Sequence, residues 1–396
     1  MPDLVVVGAG IVGAATAYSL AQAGARVEVL EAGDVASGAT AASFAVDVSR
    51  VKTPRLLYDL AISGAHEHSE LDSAWGDAPW LHHSPTLEWA HSAEGRVRLR
   101  ERMVRLRDWG YPSEWVSRAQ AREVEPAIEL PATAPDEVAL FPRGAWYQPA
   151  LLSRALLDRA QAQGACLHTH EPVRALETAH GHITAVRTAS GRRIGADVIV
   201  NCAGPDAAYL AALAGARLPL QRVPGLIATI MSNRTRLRTI LHAGDLNVRP
   251  DGDGRVLLHS WVQDAELGSD HGPDDRLDRG HRLLHQARAL LPEMADAELQ
   301  ETRVGVRPVP PDGLPLVGFS AEVDNLYVVV SHSAVHLAPL LGRLAARELT
   351  LGPDDRLEPF RPARFEGGDE LEPLDESARN MLAMVPAASK EPAHRR

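Results

Sequence analysis

The glycines near the start of the chain have the spacing that a dinucleotide pyrophosphate requires. Gly8, Gly10 and Gly13 directly follow an apolar run at residues 4–7. Gly8 allows a tight turn, Gly10 lets a pyrophosphate approach the backbone, and Gly13 lets the following helix pack closely on the strand. The free N–H groups and partial positive charge at the start of that helix favour an anionic ligand. The pattern therefore predicts a nucleotide-binding turn.

The neighbouring residues complete a strand–helix–strand unit around this turn. Residues 14–23 predict a helix that stops at Gly24, and the next strand ends in Glu31. A carboxylate at that position accepts hydrogen bonds from ribose hydroxyls and repels a ribose phosphate. The ADP part of FAD or NAD therefore fits, whereas NADP does not. The alternative is a doubly wound fold that binds no nucleotide.

Composition narrows the class of protein. The 396 residues are 45% hydrophobic, which is enough for a large core and two domains, and the net charge of -11 argues against a nucleic-acid partner. Cys166 and Cys202 have no metal-ligand spacing, so we expect buried free thiols and no metal site. Of the two lysines, Lys52 and Lys390, neither has a sequence position that indicates a place near a cofactor. Because no apolar run approaches ~18 residues and the first strand begins close to Met1, we expect a cytoplasmic enzyme.

The rest of the chain alternates between helical and strand-like patterns. Residues 33–43 form a small-residue loop that we expect to lie over a cofactor, and the block that follows is expected to be helical, with helices at 56–75, 93–109 and 119–124. Residues 268–279 predict a charged loop, and the tail 362–396 lacks periodicity and is expected to be disordered. Other predicted helices are 150–163, 280–291 and 338–350, and other predicted strands are 166–170, 173–178, 182–188, 192–194, 197–202, 226–231, 246–249, 255–262, 303–307 and 325–330.

Three further segments resemble the D-amino-acid oxidase superfamily of flavoproteins, which includes glycine oxidase and sarcosine oxidase. They are the strand end at residues 201–205, the Val-Gly-Val-Arg-Pro run at 304–308 and the Pro-Asp-Gly-Leu-Pro-Leu-Val-Gly run at 311–318. With the first unit, they extend the resemblance over residues 4–351. It implies an α/β (α+β overall) fold in which a Rossmann-like FAD-binding domain (1–50, 148–219 and 308–352) interleaves with a substrate domain (51–147 and 220–307) built on an antiparallel sheet.

The resemblance also implies roles for individual residues. Arg307 would hold a substrate carboxylate, because a guanidinium suits that bidentate task, although a structural ion pair with a loop carboxylate is the alternative. His259 and His332 are further catalytic candidates, and His242 is a possible pocket residue. The implied cofactor-binding positions are Gly8, Gly10, Ile11, Val12, Gly13, Glu31, Ala32, Ser37, Thr40, Ala42, Ser43, Val173, Ala203, Gly204, Arg307, Ser333, Ala334, Val335 and His336.

Some positions depart from the family pattern. His332 and Ala334 stand where family members commonly have glycines, so the loop beside the flavin must be stiffer. Sarcosine oxidases place a lysine over the flavin, but the matching strand here reads Val-Leu-Leu at 256–258. They also attach FAD to a cysteine, and no cysteine follows Cys202 in this chain. We therefore expect noncovalent FAD.

The resulting expectation is an FAD-dependent oxidase of a small amino acid or amine. The enzyme would transfer hydride from the C–H beside nitrogen to flavin N5, giving an imine and, after reaction with oxygen, hydrogen peroxide. It would thus act on CH–NH or CH–NH2 groups, with no nucleic-acid or membrane partner. Two alternatives stay open at this point: a dehydrogenase that uses an acceptor other than oxygen, and a tailoring-pathway or noncatalytic subunit that binds FAD.

Overall fold

The computed structural model describes residues 3–76, 79–132, 134–267 and 272–365. The helices are α1 (Ile11–Gln22), α2 (Arg55–Trp75), α3 (Ala93–Asp108), α4 (Arg118–Val124), α5 (Pro149–Ala162), α6 (Ala207–Ala212), α7 (Trp261–Ala265), α8 (Pro273–Leu290) and α9 (Ala334–Leu351). The strands are β1 (Asp3–Val7), β2 (Arg26–Leu30), β3 (Leu81–His83), β4 (Thr86–Trp89), β5 (Glu114–Ser117), β6 (Glu137–Phe141), β7 (Ala145–Tyr147), β8 (Cys166–His168), β9 (Val173–Ala179), β10 (His182–Thr188), β11 (Arg193–Gly195), β12 (Val198–Asn201), β13 (Gln221–Met231), β14 (Ile240–Ala243), β15 (Leu246–Pro250), β16 (Arg255–Ser260), β17 (Glu298–Val309), β18 (Leu316–Phe319) and β19 (Leu326–Val330).

A six-stranded sheet is formed around β1 in the order β18-β19-β12-β1-β2-β8. Its strands run parallel except for β18, which pairs antiparallel with β19. One face packs against α1, α5 and α9, and the other against α6 and the small sheet of β9, β10 and β11. Because both faces are covered, the strands are almost continuously apolar. All six strands come from residues 1–50, 148–219 and 308–352, the segments that the sequence analysis assigns to the FAD-binding domain.

The second sheet has eight strands in the order β17-β13-β16-β15-β14-β4-β6-β5. An antiparallel sheet was predicted, but the observed sheet is mixed, because β4 runs parallel to β14. The helices predicted at 56–75, 93–109 and 119–124 are present as α2, α3 and α4, but the strands β4, β5 and β6, which this part of the chain supplies to the sheet, were missed. These strands have four or five residues each, which is too short for a clear two-residue period. The core of this part lies between the sheet and α8.

Several predicted boundaries move for local reasons. Helix α8 begins at Pro273, inside the predicted charged loop, because Pro at the first position and acidic residues in the first turn favour a helix start. Strand β16 ends at Ser260, whose hydroxyl accepts from the Gln263 N–H and starts α7, so residues 261–262 are helical rather than extended. Helix α9 starts at Ala334, four residues earlier than predicted, which brings its first turn to the cavity.

Other predictions concern the end of the chain and the cysteines. Residues 362–365 form a short 3-10 helix, and Arg364 pairs with Asp312 at 2.7 Å, so the predicted disordered tail was wrong for these four residues. Residues 366–396 lie outside the described residues. Both cysteines are free thiols, but Cys166 is exposed on the edge strand β8 and only Cys202 is buried. The helices of the described part of the chain are too short or too polar to span a membrane.

Candidate active site

One cavity of about 630 Å³ connects the two sheets. It begins at the glycine turn after β1 and ends between Arg307 and His259 on the eight-stranded sheet. Every predicted cofactor and catalytic residue lines this cavity except Gly13, and His242 lines it as well. The structure therefore brings together residues that are separated by more than 300 positions in the sequence.

The glycine turn is shaped by close backbone contacts. Gly8 has a φ of +103°, and a Cβ at this position would lie 2.6 Å from the carbonyl oxygen of Cys202. A Cβ on Gly13 would lie only 1.8 Å from the carbonyl oxygen of Gly8, so Gly13 supports the turn from behind. At Gly10 the nearest obstacle is the Thr40 hydroxyl at 3.2 Å, which leaves the cavity side of the turn open. Helix α1 starts here, and its first turn contains no acidic residue, which suits an anionic group.

Glu31 is tied to the backbone around the turn. One carboxylate oxygen accepts from the Ala9 N–H at 2.7 Å, and the other accepts from the Gly33 N–H at 2.8 Å. The side chain also lines the cavity. Because each carboxylate oxygen has further acceptor capacity, the same group can both order the turn and accept from a ribose.

We expect Glu31→Ala to weaken FAD binding and to lower the unfolding temperature. The change leaves two backbone N–H groups without their acceptor and removes the ribose acceptor, a loss on the order of 1 to 3 kcal/mol. The flavin dissociation constant, measured by flavin fluorescence, should rise by about tenfold or more. Glu28→Ala is the matched control, since Glu28 lies on β2, the strand that precedes Glu31, and contacts His168 instead. Equal flavin affinity in the Glu31 variant and the parent would assign the ribose to another acceptor.

At the far end of the cavity, Arg307 is held by a buried carboxylate. Its Nη2 atom lies 2.5 Å from Oδ2 of Asp264, and the same oxygen lies 2.8 Å from Nε2 of His259. The other Asp264 oxygen accepts from the Leu226 N–H at 2.8 Å. Burial opposes ionisation of Asp264, but His259 and Arg307 outweigh it and lower the pKa of that carboxyl. The ion pair that was the alternative for Arg307 is therefore present, and Arg307 lines the cavity as well.

Two more neighbours fix the position of Arg307. The Trp261 ring lies under the guanidinium, with 5.2 Å between the guanidinium carbon and the ring centroid. A Cβ on Gly225 would lie 2.1 Å from Nη2 of Arg307, so only glycine leaves room for the guanidinium at this point of β13. Sequence reasoning missed both Asp264 and Gly225. For Gly225 the signal was the register of β13 against β17, and for Asp264 it was the helix start at Ser260; neither can be read from one segment alone.

His332 and Ser333 lie just before helix α9 and beside a buried lysine. Nζ of Lys52 donates to the Ser333 hydroxyl at 2.5 Å, and that hydroxyl is 3.3 Å from Nδ1 of His332. Burial, together with the charges of Lys52 and Arg307, holds the pKa of His332 well below its usual value, so the imidazole is neutral. The expectation that no lysine is placed near the cofactor was wrong, because the short helix at Ser49–Val51 turns Lys52 into the cavity.

The other histidines are engaged within the protein. His336 lines the cavity, but its Nε2 contacts the Ala61 carbonyl at 2.7 Å and its Nδ1 contacts the Tyr147 hydroxyl at 3.1 Å. His242 contacts the Asn247 amide, and burial first, then Arg50, lowers the pKa of His242 to about 3. Both rings are therefore fixed by internal contacts, whereas His332 has only the Ser333 contact among the described hydrogen bonds.

Removing Lys52 should change the pH dependence of stability. Burial lowers the pKa of Lys52 from 10.5 to about 8, so the native protein releases this proton before the unfolded chain does. The cost of burying the charge, about 3 kcal/mol, is fully present below pH 8 and disappears between pH 8 and 10.5. In urea unfolding of the flavin-free protein, Lys52→Met should therefore be the more stable variant at pH 7, and this advantage should vanish by about pH 10.5. Lys390→Met is the control, and a pH-independent difference for Lys52→Met would contradict the assignment.

Comparison with known proteins places the chain among flavoenzymes of one family. A model of the FAD dependent oxidoreductase family, DAO, matches residues 3–348. Glycine oxidase from Geobacillus kaustophilus is 28% identical over 364 residues, which cover 87% of this chain and 92% of that protein. Its crystal structure matches with a TM-score of 0.81 and covers 92% of this chain and 99% of that chain. The structure of an iminodiacetate oxidase from Chelativorans sp. BNC1 is 26% identical, with a TM-score of 0.78, and covers 91% of this chain and 98% of that chain.

Proposed function

This chain belongs to the DAO family of FAD dependent oxidoreductases, and we propose that it is an FAD-dependent oxidase of a small amino acid or carboxylate-bearing amine. The observation that carries the proposal is Arg307, which Asp264 and Trp261 hold at the end of the cavity opposite the glycine turn. A guanidinium placed in this way suits a substrate carboxylate. The glycine oxidase and iminodiacetate oxidase named above support a substrate of this class.

The residues that we assign to FAD are the predicted cofactor positions that line the cavity. The absence of space for a Cβ at Gly8 and Gly13 fits a turn that presents backbone N–H groups to a pyrophosphate. The first turn of α9 contains no acidic residue, and its positive end faces the cavity, which suits a group that gains negative charge. FAD, when bound, supplies the hydride acceptor.

The protein's own contribution is mainly positioning. Arg307 would fix the substrate carboxylate and thereby orient the C–H bond, and the buried surroundings would exclude water. Hydride loss requires a neutral amine, and the neutral imidazole of His332, whose lowered pKa prevents it from taking a proton from an ammonium group, would accept a hydrogen bond from that amine. His259 is already bonded to Asp264 and Asn247, so we assign it the role of positioning Arg307 through Asp264.

Flavin reduction in the absence of oxygen tests the proposed function. Purified holoenzyme is mixed anaerobically with a panel of amino acids and amines, and loss of flavin absorbance identifies a substrate. Oxygen consumption and peroxide formation are then compared with the rate supported by an artificial electron acceptor. A fast reaction with the artificial acceptor and none with oxygen would make the enzyme a dehydrogenase. A flavin that no amine reduces would favour a noncatalytic FAD-binding subunit.

We also predict that the flavin is bound noncovalently. Among the described residues, the only cysteine that lines the cavity is Cys202, and burial raises the pKa of its thiol to about 12, so the reactive thiolate does not form at neutral pH. Acid precipitation should therefore release the yellow colour into the supernatant. Flavin absorbance that stays with the protein pellet would contradict this prediction.

A further inference from the structure

A row of polar side chains crosses four neighbouring strands of the eight-stranded sheet. Glu88 on β4 is in register with His242 on β14, His242 with Asn247 on β15, and Asn247 with His259 on β16. All four side chains are buried, and the last three line the cavity. Because neighbouring strands lie about 4.8 Å apart, the row is roughly 14 Å long. It forms a polar wall on the substrate side of the cavity.

Arginine side chains lie beside both ends of this polar row. At the His259 end, Arg307 is paired with Asp264. At the Glu88 end, Arg50 lies 3.4 Å from one carboxylate oxygen of Glu88, and Arg102 contacts the other. Burial opposes ionisation of Glu88, but Arg102 and Arg50 outweigh it and lower the pKa of the carboxyl to about 2. Two guanidinium groups therefore share one carboxylate.

The other charged groups near Arg50 do not supply a second acceptor. Asp47 acts on Arg50 only through space, and its Oδ1 accepts from the Ser49 N–H at 2.7 Å and lies 3.9 Å from His336. His242 is neutral at physiological pH, because burial lowers its pKa to about 3. The Glu88 end of the row therefore holds two arginine side chains in contact with one carboxylate.

Arg50 has a buried donor without an acceptor among the described residues. Its side chain is only 4% exposed, yet its Nε atom has no hydrogen-bond partner, and its Nη2 atom lies 3.4 Å from Oε2 of Glu88 without forming a hydrogen bond to it. A buried donor without a partner costs about 1 to 3 kcal/mol, so such groups mark a place where a ligand or ordered water completes the bonds. Arg50 lines the cavity, whereas Arg102 does not.

We propose that Arg50 forms a second anion-binding subsite and that the preferred substrate is an amine that carries two carboxylates. The inference rests on the proposed function, in which Arg307 holds the first carboxylate. The second carboxylate would accept from the Nε–H donor of Arg50 at the opposite end of the polar row. A substrate with one carboxylate would leave that donor without an acceptor and would therefore bind more weakly.

Ligand titration of the oxidised holoenzyme tests this subsite without turnover. Acetate and glutarate serve as probes with one and two carboxylates, and the flavin absorbance spectrum reports binding. The parent should bind glutarate at least about tenfold more tightly than acetate. Arg50→Met should weaken glutarate binding by about 30-fold and acetate binding by less than about threefold, since each lost charged contact is worth ~2 kcal/mol.

Three further variants separate binding from folding. Arg102→Met removes the other partner of Glu88 and should leave both affinities unchanged. Glu88→Gln removes the acceptor that competes for Arg50, so glutarate should bind at least as tightly as in the parent. Arg50→Lys keeps a cation beside Glu88 and should fold normally while retaining only part of the glutarate preference. Flavin content is measured for every variant.

Two results would overturn the proposal. An Arg50→Met protein with full flavin content and unchanged glutarate affinity would mean that only water meets the Arg50 donors. If Arg50→Met weakens acetate binding and glutarate binding by the same factor, Arg50 holds the first carboxylate. If no amine reduces the flavin but the titration behaves as expected, the proposed oxidase function fails while the subsite remains.

Discussion

Replacing Arg307 with methionine should lower kcat/KM for flavin reduction by roughly 30- to 5,000-fold, which corresponds to a rise of about 2 to 5 kcal/mol in the activation free energy. The change removes a charge-assisted contact to the substrate carboxylate and leaves the C–H bond misaligned with the hydride acceptor. FAD should stay bound, because the cofactor's phosphate turn lies at the other end of the cavity. Anaerobic stopped-flow reduction measures the rate, and flavin absorbance after gel filtration measures retention.

The Asp264 partner allows a sharper form of this experiment. Arg307→Met alone leaves a buried carboxylate without its cation, so stability should fall together with activity. The double variant Arg307→Met with Asp264→Asn removes both charges and should recover much of the unfolding temperature. We expect it to remain defective in flavin reduction, since the carboxylate anchor is still missing.

The exposed Arg303 on the same strand is the matched control. It pairs with Glu301 outside the cavity, and Arg303→Met should therefore leave flavin reduction unchanged. If the double variant at Arg307 and Asp264 regains both stability and flavin reduction, the role of Arg307 is limited to its ion pair. If every substrate reduces the flavin of Arg307→Met at the parent rate, an amine without a carboxylate becomes the better substrate class.

The parts of the site that could be predicted from sequence are local. The turn at Gly8, Gly10 and Gly13 and the acid at Glu31 lie within 24 residues, and the constraints on them come from the strand and helix they connect. The C-terminal Gly-x-Arg-Pro segment with Arg307 was found through family resemblance, which supplies the long-range information that spacing lacks. Five strands of the six-stranded sheet were predicted because their sequences are largely apolar, whereas β18 was missed.

The groups that tune the site could not be predicted in this way. Asn247 and Arg50 reach the cavity, and Asp264 reaches Arg307, through strand register and through turns whose direction depends on tertiary packing. Lys52 illustrates the same difficulty, since its sequence neighbours show no feature that points it toward Ser333. A one-residue change of register would turn Asn247 and His259 to the opposite face of the sheet. The polar row is thus a property of the folded sheet rather than of any one segment.

The second large effect is expected at Gly13, where an alanine should abolish FAD binding and destabilise the protein. Its Cβ would lie 1.8 Å from the carbonyl oxygen of Gly8 and 3.3 Å from Cβ of Cys202. Because the nearest atom belongs to the backbone, no side-chain rotation relieves the contact, and helix α1 must move away from the turn. Overpacking of this kind costs about 1 to 3 kcal/mol or more, and the displaced helix no longer presents its N–H groups to the pyrophosphate.

Two other glycines show whether the effect comes from this contact. Gly195→Ala is the control, since Gly195 lies outside the cavity, a Cβ there meets only the Thr184 carbonyl oxygen at 3.7 Å, and its φ is not in the left-handed region. Gly10→Ala meets only the Thr40 hydroxyl at 3.2 Å, so it should fold normally, but Gly10 lines the cavity and its methyl group should lower flavin affinity. The expected order of flavin content is therefore Gly195→Ala equal to the parent, Gly10→Ala lower, and Gly13→Ala absent, with a lowered unfolding temperature only for Gly13→Ala. A Gly13→Ala protein that purifies yellow and unfolds at the parent temperature would show that α1 does not depend on this contact to hold the phosphate turn.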